Sequence, residues 1–319
     1  MKKNLHFLLA LFVVVLMPLL MQSGSLASEV LIFGLAAMGC NLLLGFTGLL
    51  SFGQGVFFGL GSYTVALTLT RWPLPMPLAL LLAMAMGALG AAVVGWVAIR
   101  QKGTYFVMLT LAFAQMFYFI AYTATGITGG DNGLLDIPRP NLSVMGTTLW
   151  NLTSPWQFYS FVAVVFLTAF WLLQKVSRST FGRTLLAVRD NEERAGAIGY
   201  NLRLLKLQAF VISGAVTGLA GALHSMMTGI APLSSAEYHT SEMILVMTVI
   251  GGTGNLFASV LGSAFYVLMA DWLSTLWPRW LLLLGLVLMA VSLWMQRGLW
   301  GLGDSAWRRL RGKLEAHHD

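Results

Sequence analysis

Asn41, Thr47, Ser51 and Gln54 are uncharged hydrogen-bonding side chains set in the stretch NLLLGFTGLLSFGQGVFFGLGSY, residues 41–63. Their amide and hydroxyl groups exchange hydrogen bonds but bring no charge. Six glycines, from Gly45 to Gly61, accompany them. Glycine costs a helix interior about 0.8–1 kcal/mol relative to alanine, so ordinary lipid-facing sequence has no reason to carry this load. In a bilayer, backbone that leaves the helix must be hydrogen-bonded by protein or by a water-filled cavity. One reading is a broken or tightly packed helix pair facing a pathway. The other is close packing through small residues, as in Gly55-x-x-x-Gly59. The two are compatible. The expected pathway residues are Asn41, Gly45, Thr47, Gly48, Ser51, Gly53, Gln54 and Gly55, then Gln115, and a second cluster of Gly251, Gly252, Thr253, Gly254 and Asn255.

Catalytic signatures are absent from the sequence. It has no HExxH pair and no GxSxG turn. His224 stands alone in an apolar run, where a histidine packs or hydrogen-bonds. Gly312-Lys313 is followed by Leu314 and lacks the upstream glycine of a phosphate-binding loop. If ATP drives the protein, another chain binds it. Cys40 has no cysteine partner, and His317-His318 are too few for a metal site. No enzyme activity, metal or cofactor is expected in this chain. Glu29, Asp131, Asp136, Glu237 and Glu242 are expected outside or at the outer edge, with Asp271 near the outer end of its span. Asp190, Glu192, Glu193, Asp304, Glu315 and Asp319 are expected inside. An intramembrane charge costs at least ~2.5–3.5 kcal/mol and marks an ion or proton relay. None falls at mid-membrane in this reading, which counts against proton coupling.

These groups must be positioned by membrane helices. Of 319 residues, 57% are hydrophobic and 10% charged, and mean hydropathy is +0.77; soluble domains carry about 25% charge. A span needs about 20 mainly apolar residues. Ten candidate elements follow: 5–21, 30–50, 56–69, 78–99, 105–125, 158–175, 207–230, 243–250, 257–273 and 280–295. Two are short, and both flank glycine-rich stretches. With the N-terminus placed inside, sixteen of the nineteen basic residues fall inside, and only Arg71, Arg139 and Arg279 fall outside. The positive-inside rule predicts this asymmetry. The expectation is an all-α polytopic membrane protein of about ten transmembrane elements, some short or broken, with both termini cytoplasmic. Topology also accounts for the net charge of +7, so nucleic-acid binding is not expected. Lys2, Lys3 and the apolar run after them also read as a signal peptide; the charge balance favours a retained first helix.

Two polar segments interrupt the spans. Residues 126–157 lie on the outer face by this count. Residues 177–206 lie on the inner face, within a transmembrane domain of residues 1–297. Here 184–198 reads as a helix with Leu185, Val188, Ala195 and Ile198 on one apolar face. Seven basic residues from Lys175 to Lys206 and the acidic knot of Asp190, Glu192 and Glu193 suit mixed-charge docking to a protein partner. An interfacial helix on anionic headgroups is the alternative. A short basic tail, 298–319, could lay Trp307, Leu310 and Leu314 on the membrane surface. An internal echo joins Gly45-x-Thr47-Gly48-x-Leu50 to Gly251-x-Thr253-Gly254-x-Leu256. Paired interrupted segments point to a transport pathway, although these two run in the same direction.

The chain resembles the ABC importer permeases for branched-chain amino acids, the LivM-like subunit. The resemblance rests on GFTGLLSFGQGVFFGLGSYTVAL (45–67), GTYFVMLTLAFAQ (103–115), ITGGDNGL (127–134), GRTLLAVRDNEERAGAIGYNLRLLKLQAFVISGAVTGLAGAL (182–223) and MILVMTVIGGTGNLFASVLGSAF (243–265). It covers nearly the whole chain in order. It implies a permease subunit in a bacterial inner membrane, paired with a sister permease. Two cytoplasmic ATPase subunits would bind ATP, and a periplasmic substrate-binding protein would deliver the cargo. The ATPase-coupling residues it implies are Arg183, Arg189, Asp190, Glu192, Glu193, Ala195 and Gly199. Urea, amide and aromatic-acid importers share the pattern, so the cargo stays open. Thr253 departs from it, since an aliphatic residue is commoner there. The rival readings are a stand-alone secondary transporter or facilitator and, more distantly, a membrane enzyme.

Overall fold

A computed structural model describes residues 5–301, except 22, 73, 140–141, 145–146, 151, 153 and 295–297. The apolar runs become helices because a backbone in lipid must satisfy itself internally. In order these are α1 (Leu5–Leu20), α2 (Gly24–Thr47), α3 (Gln54–Thr70), α4 (Met76–Ala98), α5 (Thr104–Thr123), the single turn α6 (Thr125–Thr128), α7 (Pro155–Arg178), α8 (Thr180–Asp190), α9 (Glu192–Ala197), α10 (Leu202–Thr228), α11 (Tyr238–Gly251), α12 (Leu256–Leu276) and α13 (Trp280–Trp294). Strands β1 (Leu142–Val144) and β2 (Thr147–Trp150) form a small hairpin between α6 and α7. Among the described residues six helices, α2, α4, α5, α7, α10 and α12, are long and apolar enough to cross a membrane. α1 and α13 are apolar but shorter. Most of the basic tail expected over 298–319, from residue 302 on, lies outside the described residues, as do Lys2 and Lys3.

α2 is the axis of the bundle, and nearly every residue on it is buried. It packs on α7, α10, α11 and α12. α10 lies against α3 and α4 through glycines. A methyl group at Gly61 would overlap the Gly218 carbonyl, and one at Gly87 the Gly214 carbonyl. Small residues let helix backbones approach this closely where lipid offers no hydrophobic drive for association. Peripheral α1 is tied to α7 by the Tyr159 hydroxyl, which donates to the Val14 carbonyl at 2.6 Å.

α3 and α11 are shorter than a full span. At 17 and 14 residues, and 1.5 Å per residue, they reach about 25 and 21 Å, short of a ~30 Å hydrocarbon core. Both begin inside the bundle. α2 ends at Gly48, whose φ of +72° closes the helix in the left-handed region. The chain then turns back inward to Gln54. The Gln54 amide donates to Ser213 at 3.0 Å and accepts from Thr217 at 2.7 Å, while Ser213 donates to the Gly39 carbonyl at 2.7 Å. These partners are interior residues of α10 and α2. α11 also starts inside. After α10 the chain bridges to Leu134, makes a 3-10 turn at Leu233–Ala236 against Gly59, and resumes as helix at Tyr238. Ser241 binds the starts of α3 and α11 together. Its hydroxyl donates to the Phe52 carbonyl at 2.6 Å and accepts the Gly55 amide at 2.7 Å.

Glu237 and Glu242, expected at the outer edge, stand at the start of α11. In the structure the Glu237 carbonyl abuts Gly55. α11 runs antiparallel to α12, with Met247 against Gly262 and Gly251 against Ala258. Glu242 therefore stands near Tyr266, midway along the 21-residue α12. Its carboxylate is 3.4 Å from His239.

Candidate functional site

The two copies of the glycine echo meet in space. Asn41, within the last two turns of α2, is fully buried. Its amide nitrogen donates to the Asn255 carbonyl at 2.9 Å and to Ser259 at 2.7 Å, with the Gly252 carbonyl at 3.4 Å. Its amide oxygen accepts from Gly254 N–H at 2.9 Å. Asn255 in turn caps α12, accepting the Phe257 amide at 3.0 Å. A methyl group at Gly45 would overlap Gly254. One amide side chain thus satisfies the irregular backbone between α11 and α12, as membrane-buried backbone requires.

The polar side chain best placed to connect this joint to the surface is Arg189, in the last turn of α8. Its guanidinium donates to the Gly45 carbonyl, and its aliphatic stem lies against Gly48. Gly45 is in the last turn of α2, where carbonyls lack intrahelical partners and the helix dipole is negative. Arg189 answers both needs. Asp190, at 3.3 Å, balances the same guanidinium.

Periodicity predicts one helix over 184–198. The structure has two, parted at Asn191. Asn191 leaves helical geometry at φ −156° and ψ 100°, and its side chain accepts the Arg194 amide at 2.8 Å to start α9. An N-cap side chain competes for the backbone and restarts the helix. Leu185, Val188 and Ala195 are buried as expected, but Ile198 is 72% exposed. It lies with Gly199, at φ +96°, and Tyr200 on the open surface. Glu192 pins α9 down. It meets Lys206 of α10 at 2.9 Å and Lys102, before α5, at 3.4 Å. Partial burial acts to raise the Glu192 carboxyl, but the hydrogen bond and charge of Lys206, with Lys102, outweigh it and hold it below its ordinary value.

The remaining site residues divide clearly. Thr47 is buried and donates back to the Leu43 carbonyl at 2.6 Å; Ser51 is buried and accepts the Gly53 amide at 3.1 Å. Gly48, Thr253 and Gln115 are exposed, with Gln115 apart from the others on the open face of α5. Arg183, Asp190 and Glu193 are exposed around α8 and α9. Sequence reasoning missed Ser213, Thr217, Ser241 and Ser259 as partners. Ser213 and Thr217 were legible in principle, since a four-residue spacing puts both on one helix face. Ser241 was not, because only the fold brings it to Phe52. Among the described residues no group of three or more His, Cys, Asp or Glu side chains could hold a metal ion.

The arrangement links a charged surface segment to the core of the helix bundle through Arg189, Gly45 and Asn41. The family pattern described as "Branched-chain amino acid transport system / permease component" matches residues 23–293. The high-affinity branched-chain amino acid transport system permease protein LivM of Escherichia coli K12 is 27% identical, over 93% of this chain and 75% of that protein. The probable LivM of Methanocaldococcus jannaschii is 24% identical over 57% of this chain and 52% of its own length. The autoinducer 2 import system permease LsrC of Klebsiella pneumoniae is 30% identical over 41% of this chain and 39% of its own. No solved structure matches.

Proposed function

Since the chain belongs to the family of branched-chain amino acid transport permease components, we propose that it is the membrane-spanning permease subunit of a binding-protein-dependent ABC importer for branched-chain amino acids. A sister permease forms the other half of the passage. Two ATPase subunits bind the permease pair at the cytoplasmic face, one of them docking on α8 and α9 of this chain. A periplasmic binding protein supplies the cargo at the opposite face of the bacterial inner membrane. ATP binding in the partners moves α8, and the bundle rocks between inward- and outward-open forms.

The observation that carries this reading is Arg189. A cation on the exposed segment grips the last turn of α2 at Gly45, where the two glycine motifs meet. Movement of α8 is thereby handed to α2, the axis of the bundle. The exposed Ile198, Tyr200 and Glu193 supply the mixed apolar and charged surface that a protein partner recognises. Gly48 and Gly53 before α3, and Gly252 and Gly254 after α11, supply the bend points.

The test is uptake of radiolabelled leucine, isoleucine and valine into proteoliposomes. Uptake is expected only when the chain is assembled with its sister permease, ATPases and binding protein, with ATP supplied. Uptake by this chain alone, driven by an ion gradient, would overturn the reading. Glu193→Ala with Tyr200→Ala should release the ATPase subunits in a pull-down; unchanged association and uptake would sink the docking assignment. Competition by urea, amides and autoinducer 2 decides the cargo. The likeness to LivM of Escherichia coli spans 93% of the chain against 41–56% for the LsrC permeases, which favours the amino acids.

A further inference from the structure

Between α4 and α10, at the end that carries α8 and α9, lies a cavity of about 280 Å³. Trp96 and Arg100 line one wall, and Arg203, Leu204 and Leu207 the other. The Arg100 guanidinium lies 4.6 Å over the Trp96 ring, and Trp96 is 63% exposed. Among the described residues no carboxylate lines this cavity. Two arginines therefore line it with no carboxylate beside them. A second, apolar groove of about 510 Å³ adjoins it, sharing Leu207 and continuing along Val211 and Ile212 against Val176 and Phe181. Arg203, Leu207 and Val211 recur every four residues, so they form one ladder up α10. The bottom rung is cationic and the others are apolar.

We propose that this paired cavity and groove bind one anionic phospholipid. Its phosphate sits between Arg100 and Arg203, and an acyl chain lies along Leu207, Val211 and Ile212. The order of charge, aromatic ring and apolar groove matches the depth profile of a leaflet, where Trp belongs at the interface. Basic pockets between membrane helices recognise anionic headgroups for this reason. A free phosphate would use the arginines but leave the groove unused. The proposal needs the chain to be membrane-embedded, not the transport reading to hold.

The experiment is native mass spectrometry of the full chain in detergent with phosphatidylglycerol, phosphatidylcholine or inorganic phosphate added. Phosphatidylglycerol should be retained at one copy, about thirtyfold more tightly than phosphatidylcholine, given two basic residues at an anionic headgroup. R100Q/R203Q should erase that preference while leaving the unliganded melting temperature unchanged. Val211→Asp should weaken phosphatidylglycerol with both arginines present. Equal retention of the two lipids overturns the proposal. So does a preference that survives R100Q/R203Q, or inorganic phosphate displacing the lipid. If a variant does not fold, thermal stabilisation of the wild-type chain decides: phosphatidylglycerol must raise the melting temperature more than phosphatidylcholine or phosphate does.

Discussion

Asn41 accepts the Gly254 amide at 2.9 Å, joining residues 213 positions apart in the chain. The same side chain serves Asn255 and Ser259. Asn41→Leu keeps the volume nearly constant and leaves these groups without partners. Each buried unpaired group costs about 1–3 kcal/mol, so a loss of about 3 kcal/mol or more is expected. A melting curve of the purified variant in detergent checks it. A melting temperature equal to wild type would mean that water, not Asn41, satisfies the joint.

Gly61 and Gly126 make a matched pair. A methyl at Gly61 meets the Gly218 carbonyl, backbone against backbone, while Gly126 has nothing within 4 Å. Gly61→Ala must push α3 away from α10, at a cost of at least ~1–3 kcal/mol for overpacking. Gly126→Ala lies within α6 and should be neutral or stabilise by up to ~1 kcal/mol. The yield of folded protein by size-exclusion chromatography separates the two.

Glu192 gives a pH signature. Its folded pKa lies below the ordinary 4.5 because Lys206 and Lys102 outweigh the effect of burial. The contribution is therefore present above the ordinary carboxylate value and is lost as pH falls through the lowered one. Glu192→Gln should destabilise at pH 7, where it leaves Lys206, 8% exposed, without its partner. Below about pH 4 the gap between variant and wild type should close. Melting temperatures across pH 3–7 test this; a gap that widens on acidification would reverse the assignment.

Much of the helix order was legible in the sequence, because a membrane forces apolar runs into helices. Each of the ten expected segments has a helical counterpart, six of them long and apolar enough to cross. The start of α11 was not legible: hydropathy reports which residues are apolar, not that Ser241 ties this helix to Phe52 and Gly55. The buried roles of Asn41 and Gln54 were half legible. Polar groups among glycines mark irregular backbone, but only the fold shows that their partners come from α10, α11 and α12. The break at Asn191 left a signal that periodicity overrode: asparagine is a strong N-cap, and Glu192 and Glu193 suit a first turn. Arg189 could not be told from its basic neighbours, since its role depends on contact with Gly45, 144 positions away.

Arg189 separates positioning from docking. Its guanidinium reaches the Gly45 carbonyl and sits beside Asp190, whereas Glu193 and Tyr200 face outward. Under the importer reading, Arg189→Gln should leave ATPase subunits bound and hydrolysing ATP while uptake falls. A charge-assisted hydrogen bond contributes about 1.5–3 kcal/mol, so the fall in uptake per ATP is about ten- to hundredfold. Arg189→Lys keeps the charge but loses the planar fork, and should recover only part. A docking residue would instead lose bound ATPase, hydrolysis and uptake together. Measuring all three in proteoliposomes distinguishes the roles, and a proportional loss of all three would remove Arg189 from the α8–α2 linkage.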